Sequence, residues 1–275
     1  MDIKIIALDL DGTTMHTGGY LSRYNKKAIE RAIEKGVEVV AASGRAFTAL
    51  PEDIKNIKGI KYAITSNGAY IRDLENEINI YSKFLSIIAV RKVIEIAKNE
   101  QINIEAFCGG QAYTDAALYE EVKKNGSLHR NRDYVLRTRK PLNDIFGFMQ
   151  KHENEIENVN FFFENMKRRE EMKDVIYAIP EATITSSLPN NIEVGGIGVS
   201  KSSALKVLID KLHISNKNLM CCGDAPNDIA MLEYAEIGVA MGNAWDEVKT
   251  HADYVTDTND NDGVGKAIHK FVLDL

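Results

Sequence analysis

The sequence predicts an α/β fold in which a parallel-sheet core carries a smaller inserted α+β domain. Near both ends of the chain, short apolar runs alternate with segments of helical periodicity, which is typical of strand–helix–strand units in a parallel sheet. Between about residues 82 and 190, this alternation gives way to hairpin-like strands mixed with helices, the pattern of an α+β module. We therefore expect a core of residues 1–82 and 190–275 and an inserted domain of residues 83–189.

The first predicted strand is an apolar run that begins at Ile3 and ends in the acidic turn Asp9-Leu-Asp-Gly-Thr-Thr14. Buried parallel strands read as nearly continuous apolar runs, and open α/β sheets bind ligands beyond the carboxyl ends of such strands. Asp9 and Asp11 are two residues apart, so their side chains point to the same side if strand geometry persists. Two carboxylates this close suit a nucleophile with an acid/base partner, a metal site, or both.

Two further strands of this segment end in the same way. A helical segment leads into a second apolar run, residues 37–42, which stops at a Ser-Gly-Arg turn. A third run, residues 61–65, stops at a Ser-Asn-Gly turn, in which Asn67 and Gly68 either only form the turn or also contact a substrate. Because three successive strands end in polar turns that contain glycine, we expect these turns to share one edge of the sheet.

Apolar periodicity predicts the remaining elements. In the inserted domain, the predicted strands cover 102–107, 111–114, 159–163 and 183–187, and the predicted helices cover 87–97, 142–152 and 167–178. In the second core segment, the predicted helices cover 201–212, 227–235 and 264–273, and the predicted strands cover 219–222, 237–240 and 254–255. The return to alternation near residue 190 indicates that the chain re-enters the core there.

Composition and charge exclude several classes of protein. A formal net charge of −6 argues against a general nucleic-acid binder, which would carry a basic footprint. No apolar run approaches the ~18 residues of a membrane span, and no leader-like segment precedes the first strand. The three cysteines, Cys108, Cys221 and Cys222, form no disulfide framework. We therefore expect a cytoplasmic protein with reduced cysteines and no nucleic-acid or membrane partner; the sequence does not indicate its oligomeric state.

Two segments offer groups that bind anions. The Ser43 hydroxyl, the Gly44 amide and the Arg45 guanidinium at the end of the second strand are what a phosphate oxygen needs. Lys201 begins a predicted helix, where its ammonium would neutralise a bound anion. Taken alone, each segment also fits a simpler interpretation, a plain turn for the tripeptide and a solvated first-turn side chain for the lysine.

A second acidic cluster follows the predicted strand at 219–222. Asp224 lies at the end of that strand, and Asp228 lies four residues later on the first turn of the next helix. Carboxylate oxygens are hard ligands that suit Mg²⁺, which also keeps several waters and shares substrate phosphate. The alternative is that Asn227 or Asp228 only caps the helix.

Together these segments resemble the motifs of the haloacid dehalogenase superfamily of phosphohydrolases: D-x-D-G-T, a Ser/Thr, a Lys and G-D-x-x-N-D. The finer match is to its Cof-like sugar-phosphatase branch, through the segments 9–13, 43–45, 66–69, 198–201, 223–228 with 231–232, 241–244, 252–256 and 262–264. The inserted domain matches only in position and length, where this branch has an α+β cap (type IIB) on a Rossmann-like core. Thr14, Ala225-Pro226 and Ser202 depart from the usual residues, but none of them removes a catalytic group.

The resemblance implies a role for each matching residue. Asp9 would attack phosphorus and form an aspartyl-phosphate, while Asp11 would protonate the leaving oxygen and later deprotonate the hydrolytic water. Mg²⁺ would be bound by Asp9, the Asp11 carbonyl and Asp224, with Asp228 among or just behind these ligands. The phosphate-binding residues would be Leu10, Gly12, Ser43, Gly44, Arg45, Lys201 and Asn227.

The implied function is a Mg²⁺-dependent phosphatase for small phosphorylated metabolites, in particular sugar phosphates. A phosphomutase or phosphotransferase would use the same nucleophile and pass the phosphoryl group to a hydroxyl other than that of water. A non-catalytic metabolite-binding regulator on this scaffold would usually lack one of four residues, namely Asp9, Asp11, Lys201 and Asp224, and all four are present. Phosphoryl transfer depends mainly on in-line positioning and charge neutralisation, which these groups supply.

Specificity would come from the cap, where the sequence does not show which side chains contact the substrate; Tyr113, Arg130 and Phe161 are examples of candidates. Seven basic residues of the cap have only Asp133 as an acidic neighbour: Lys123, Lys124, Arg130, Arg132, Arg137, Arg139 and Lys140. Such a group either is a solvated surface or attracts an anionic substrate.

Overall fold

The computed structural model describes residues 2–126 and 132–274. The chain forms two compact units: the first comprises Met1–Gly44, Leu50–Ser82 and Ser200–Leu275, and the second comprises Arg45–Ala49 and Lys83–Val199. The predicted α/β class, with a parallel-sheet core and an inserted α+β domain, is confirmed. Among the residues that the structure describes, no helix combines the length and the apolar character needed to cross a bilayer.

The described residues form fourteen strands and eleven α-helices, which are connected by loops that include short 3₁₀ and π-helical turns. The strands are β1 (Ile5–Leu8), β2 (Glu38–Ala42), β3 (Tyr62–Thr65), β4 (Tyr70–Asp73), β5 (Ile78–Ser82), β6 (Asn103–Cys108), β7 (Gln111–Asp115), β8 (Arg139–Leu142), β9 (Ile156–Phe162), β10 (Ala182–Thr185), β11 (Asn191–Gly196), β12 (Leu219–Gly223), β13 (Ile237–Ala240) and β14 (Tyr254–Val255). The helices are α1 (Arg23–Glu34), α2 (Glu52–Lys55), α3 (Ile87–Asn99), α4 (Ala116–Asn125), α5 (Arg132–Thr138), α6 (Ile145–Lys151), α7 (Met166–Tyr177), α8 (Lys201–Lys211), α9 (Ile229–Tyr234), α10 (Asp246–Thr250) and α11 (Gly263–Ile268).

The first unit is built on an eight-stranded sheet in the order β14-β13-β12-β1-β2-β3-β4-β5. Strands β14 to β3 pair in parallel, and β4 and β5 add an antiparallel hairpin at one edge. The chain leaves β1 toward β2 on one side and reaches β12 and β13 on the other, so β1 and β12 lie where the strand order reverses. In open α/β sheets, ligands bind at this reversal, beyond the carboxyl ends of the strands.

Helices cover this sheet because β1 and β12 are apolar on both faces and fully buried. Helix α1 packs against α11, and α8 packs against α9. Right-handed crossovers that run in opposite directions from the centre place their helices on opposite faces. The hairpin of β4 and β5 was not predicted from the sequence, because β5 lies at the sheet edge, has no buried residue and so lacks a buried apolar run.

The second unit contains a six-stranded sheet in the order β10-β11-β9-β6-β7-β8, antiparallel except for the pair β7 and β8. Apolar side chains of α3, α6 and α7 pack on one face of this sheet and form its hydrophobic core. Phe161 is fully buried in that core and Tyr113 packs against it, so the structure assigns both a packing role; Arg130 lies outside the described residues.

The opposite face of this sheet carries buried polar side chains. Glu105 of β6 and Glu193 of β11 lie in register on either side of Asn160 of β9. Arg139 of β8 is also buried and donates two hydrogen bonds to Glu105 Oε2, at 3.0 and 2.8 Å from Nε and Nη2. Although burial alone would lower the pKa of Arg139, the Glu105 charge raises it above the ordinary value.

These contacts correct the interpretation of the basic group in the inserted domain. Arg139 is an internal ion-pair partner rather than part of a solvated basic surface, and Lys123 lies 3.4 Å from Glu120. The acidic partner of Arg139 comes from a distant strand, so neighbouring sequence positions did not reveal it. Arg130 is again outside the described residues.

The return to the first unit occurs at Ser200, later than the predicted position 190. The reason is β11, which pairs with both β9 and β10 and so belongs to the sheet of the second unit. The predicted helix over 142–152 is also shorter in the structure, because Leu142 completes β8 and the helix begins at Ile145.

Candidate active site

The candidate site begins where β1 ends. The Asp9 backbone N–H donates to the Cys222 carbonyl at 3.0 Å, which continues the parallel pairing of Leu8 with Cys222. This bond places Asp9 beside the end of β12, although Asp9 and Cys222 are far apart in the sequence. The Asp9 side chain is only 5 % exposed.

The turn after Asp9 is shaped by Gly12 and two threonines. Gly12 has a φ of +76°, and a Cβ there would collide with the Asp224 carboxylate. Thr14 donates its hydroxyl to the Asp9 carbonyl at 2.5 Å, and Thr13 donates to Asp224 Oδ1 at 2.8 Å. Thr13 therefore holds the Asp224 carboxylate against this turn, Gly12 leaves room for it, and Thr14 closes the turn on the Asp9 carbonyl.

Lys201 joins the two halves of the site. Its ammonium donates to Asp9 Oδ1 at 2.5 Å and to Asp228 Oδ1 at 2.7 Å, and the side chain is 1 % exposed. Lys201 is the first residue of α8, whose N-terminus is fixed by a reciprocal capping pair of Ser200 and Ser203. The capped N-terminus of α8 thus places the buried Lys201 ammonium at the end of β1.

Asp228 organises the acidic loop after β12. Its Oδ2 accepts hydrogen bonds from the backbone N–H groups of Asp224 and Ala225, at 3.0 and 3.1 Å, while its Oδ1 faces Lys201. A Cβ on Gly223 would collide with this side chain, so the glycine leaves room for it. Both oxygens of Asp228 therefore accept hydrogen bonds, and the side chain ties the loop that carries Asp224 to Lys201.

The site holds more negative than positive charge. Burial, together with Asp228 and Asp11, raises the pKa of Asp9 to about 7 despite the opposing effect of Lys201. Burial and the charges of Asp9 and Asp228 raise the pKa of Asp224 to about 9. For Lys201, burial alone would lower the pKa, but the attraction of Asp228 and Asp9 outweighs it and raises the pKa above the ordinary value.

This arrangement fits a divalent cation. Asp9, Asp224 and Asp228 each offer a carboxylate oxygen, and these atoms lie within 4.8 Å of one another. Hard oxygen donors are the ligands that Mg²⁺ uses in proteins. A cation beside them would supply the positive charge that Lys201 alone does not provide, and it would oppose the rise in pKa of Asp9 and Asp224.

The Ser-Gly turn after β2 lies at the same sheet edge. Ser43 is buried, and its N–H donates to the Ile64 carbonyl at 2.9 Å. Asn67 donates its N–H to the Ser43 carbonyl at 3.1 Å, and Asn227 donates its side-chain amide to Asn67 Oδ1 at 3.0 Å. Among the described residues, no group bonds the buried Oδ1 atom of Asn227.

The surroundings of three further predicted residues, Arg45, Leu10 and Asp11, bear on their roles. Arg45 belongs to the second unit, where its guanidinium donates to the Ala49 carbonyl at 2.8 Å and lies 4.7 Å from the centre of the Tyr134 ring. The side chain of Leu10 is fully buried, so only its backbone can face a ligand. Asp11 is exposed, and its charge is close enough to raise the pKa of Asp9.

Thr13 and Asn243 lie at the site, although no role was predicted for them from the sequence. Asn243 donates its side-chain amide to the Gly12 carbonyl at 2.8 Å, and Thr13 bonds Asp224 as described above. Both residues lie inside segments that match the family motifs, and this match was the one indication in the sequence that they belong to the site. Their partners are more than 200 positions away, so spacing alone could not reveal the contacts.

In protein stripped of divalent cations, stability should fall as the pH rises from about 4 to about 9. Folded Asp9 and Asp224 keep their protons at pH values where the same groups of the unfolded chain, with an ordinary pKa of 3.8, have lost them. The folded state therefore binds more protons, and each rise in pH across this range favours unfolding.

Thermal melts in EDTA between about pH 5 and about pH 9 would check this sign. Mg²⁺ should raise Tm most at the alkaline end, because its ligands must be deprotonated. A Tm in EDTA that climbed steadily with pH over this range would contradict the charge arrangement.

Comparison with known proteins shows the family to which the chain belongs. The pattern of the haloacid dehalogenase-like hydrolase family matches residues 6–268. The chain is 35 % identical to 5-amino-6-(5-phospho-D-ribitylamino)uracil phosphatase YcsE of Bacillus subtilis over 273 residues, which cover 99 % of this chain and 97 % of that protein.

Solved structures show the same fold over nearly the whole chain. A haloacid dehalogenase-like hydrolase from B. subtilis superposes with a TM-score of 0.85 at 28 % identity, covering 98 % of this chain and 100 % of that one. The HAD subclass IIB sugar phosphatase BT4131 gives a TM-score of 0.82 at 27 % identity, covering 98 % and 99 %. The resemblance seen in the sequence motifs is thereby confirmed: the chain belongs to the haloacid dehalogenase-like hydrolase family and is an enzyme of the phosphatase type.

Proposed function

We propose that the protein is a Mg²⁺-dependent phosphatase that hydrolyses small phosphorylated metabolites, in particular phosphate esters of sugars and other polyols, through an aspartyl-phosphate. One observation carries the proposal: the buried Lys201 ammonium bonds Asp9, and an Asp224 carboxylate oxygen lies within 4.8 Å of an Asp9 carboxylate oxygen. A buried carboxylate beside a fixed cation and a set of metal ligands is suited to attack on a phosphate ester.

The reaction would use the chain's own groups in two steps. An Asp9 oxygen attacks phosphorus in line with the ester bond, that bond breaks, and Asp11 gives its proton to the leaving alcohol oxygen. Asp11, now a carboxylate, takes a proton from a water molecule that attacks the phosphoryl group on Asp9. Inorganic phosphate leaves, and both aspartates return to their starting states.

Several residues would hold the phosphoryl group during these steps. Lys201 and the Ser43 hydroxyl, with the Gly44 amide and Asn227, would neutralise and orient its oxygens. The turn backbone at Leu10 and Gly12 would bind the group from the nucleophile's side. For Arg45, the contacts with Ala49 and Tyr134 in the second unit favour a structural role over phosphate binding.

Mg²⁺ would be bound by the Asp9 and Asp224 carboxylates and the Asp11 carbonyl, where it would neutralise developing charge on the phosphoryl group. Asp228 would fix the Asp224 backbone from behind, since its two oxygens already accept hydrogen bonds from Lys201 and two amides. The observation that supports this assignment is the excess of carboxylates over cations in a buried cluster.

We further propose that the second unit selects the organic part of the substrate. The polar face of its sheet carries the Oδ1 atoms of Asn158 and Asn160, which are buried and lack a hydrogen-bond partner within the described part of the chain. Such acceptors suit hydroxyl groups. A relative at 35 % identity is named for a phosphorylated ribityl compound and a structural neighbour for sugar phosphates, which supports a polyol ester.

The test is release of inorganic phosphate from a panel of phosphate monoesters, with Mg²⁺ and with excess EDTA. The panel contains hexose and pentose phosphates, 5-amino-6-(5-phospho-D-ribitylamino)uracil and simple aryl phosphates. Release that requires Mg²⁺ and favours polyol esters would support the proposal. Transfer of the phosphoryl group to an added sugar without free phosphate would instead identify a phosphotransferase, and binding without either reaction would indicate a regulator.

A further inference from the structure

The turn that follows β3 has an unusual backbone. Ser66 and Asn67 both adopt left-handed conformations, with φ of +50° and +56°, and Gly68 follows with φ of +106°. A left-handed serine is energetically unfavourable, and asparagine tolerates the conformation better. All three residues are buried. Strain of this kind persists only where surrounding contacts hold it, and it concentrates at functional sites.

One set of contacts joins this turn to the turn after β2. The Asn67 N–H donates to the Ser43 carbonyl at 3.1 Å. The Asn67 side chain also lies against Gly44, where an added Cβ would come within 3.0 Å of Asn67 Oδ1. The turn after β3 is therefore hydrogen-bonded to the turn after β2 and packs closely against it.

A second contact joins Asn67 to the acidic loop after β12. Asn67 Oδ1 accepts a hydrogen bond of 3.0 Å from the Asn227 side-chain amide, across a sequence separation of 160 residues. This bond fixes the rotamer of Asn227. It also leaves the buried Asn227 Oδ1 with no partner among the described residues, so that this atom faces away from Asn67 with unused bonding capacity.

A third contact joins the turn to the helix that carries Lys201. A Cβ on Gly68 would collide with the Ser200 carbonyl, and it would lie 3.2 Å from the Lys201 backbone nitrogen. The backbone of the turn thus packs directly on the N-terminus of α8. Residues 66–68 are the place where three phosphate-binding segments of the proposed site meet.

We propose that Asn67 is a positioning residue: its side chain holds the Asn227 amide and the Ser43–Gly44 turn in fixed relation, so that the phosphate-binding groups are preorganised before substrate arrives. The left-handed conformation is what allows one residue to bond Ser43 through its N–H and Asn227 through its side chain. The inference rests on the proposed phosphatase function, which it deepens by adding a residue that acts through others.

Replacing Asn67 with glycine isolates the side chain, because glycine keeps both the left-handed backbone and the N–H bond to Ser43. Asn67→Gly should lower kcat/KM about 10- to 100-fold, as displaced catalytic contacts do. The loss should appear in kcat as well as in KM, and Tm should change little. A matched control is Glu77→Gly, an exposed left-handed residue with φ of +57° in the hairpin of β4 and β5, which should leave kinetics unchanged.

A double-mutant cycle with Asn227→Ala tests whether Asn67 acts through Asn227. If it does, Asn67→Gly should cost less than about 3-fold once Asn227 is alanine, because coupled residues are not additive. Full additivity of the two losses, or unchanged kinetics in Asn67→Gly, would overturn the inference.

The same cycle should be measured on the binding of inorganic phosphate in the presence of Mg²⁺, by calorimetry. This separates the inference from the proposed function. A wild-type protein that binds phosphate but hydrolyses no ester would remove the phosphatase proposal, while coupling of Asn67 and Asn227 in phosphate affinity would still support the positioning role. Equal phosphate affinity in all four proteins of the cycle would contradict it.

Discussion

Replacing Asp9 with asparagine is expected to reduce phosphate release about 10⁴-fold or more, because an amide oxygen cannot form the phosphorylated intermediate. The substitution is nearly isosteric, and Lys201 would keep its bond to Asp228. The measurement is inorganic phosphate released under saturating substrate and Mg²⁺. Activity within 10-fold of wild type would exclude Asp9 as the nucleophile.

Although Asp9→Asn should lose its activity, its thermal stability should not fall. Burial and the neighbouring acids raise the pKa of Asp9, which means that the fold disfavours its charge. Without divalent cations, the asparagine variant should therefore melt at the same temperature as wild type or higher at alkaline pH. Asp2→Asn is a suitable control, since the Asp2 side chain is 79 % exposed, and it should change neither rate nor Tm.

Replacing Lys201 with methionine is expected to be the most destabilising single change at the site. The ammonium bonds both Asp9 and Asp228, and all three side chains are almost fully buried. Removing one partner of a buried ion pair leaves uncompensated charge, which costs about 3–5 kcal/mol of unfolding free energy. Phosphate release should also be lost, because Lys201 is the cation that bonds Asp9 and would neutralise the phosphoryl group there.

Urea denaturation of Lys201→Met in EDTA at neutral pH would measure this loss. The loss should shrink as the pH is lowered, because protonated carboxyl groups no longer need the ammonium. Lys206→Met on the exposed face of the same helix is the control, and it should cost about 1 kcal/mol or less, although its ammonium lies over the Tyr234 ring. If Lys201→Met also lost only about 1 kcal/mol of unfolding free energy, the buried acids would have to be neutralised in another way.

The parts of the site that could be predicted are those that depend on strand order. Asp9, Ser43 and Asp224 each follow an apolar run, and parallel strands bring their carboxyl ends to one edge. This geometry requires no knowledge of side-chain contacts, so periodicity and the family motifs together were sufficient. The core segments of the fold were predictable for the same reason.

The parts that were missed depend on contacts between residues far apart in the chain. Strand β11 pairs with β9 through polar residues such as Glu193 and Asn160, which do not read as a buried strand. Arg139 is internal only because Glu105 lies across the sheet from it. Asp228 accepts hydrogen bonds from Lys201 and from two backbone N–H groups, and Ser66 adopts a left-handed conformation. Both features arise from packing, which local sequence patterns do not describe.

The pairing of β1 with β12 also governs the order in which the protein can mature on the ribosome. Residues 5–8 are synthesised before the second unit, yet one of their two partner strands, residues 219–222, emerges after the whole second unit. Until residues 219–222 have been synthesised, a growing chain therefore exposes one edge of an apolar strand, a state prone to aggregation. Asp9 can contact Lys201 and Asp228 only after the second unit has been synthesised, so a chain that stops within that unit carries Asp9 without its buried cation.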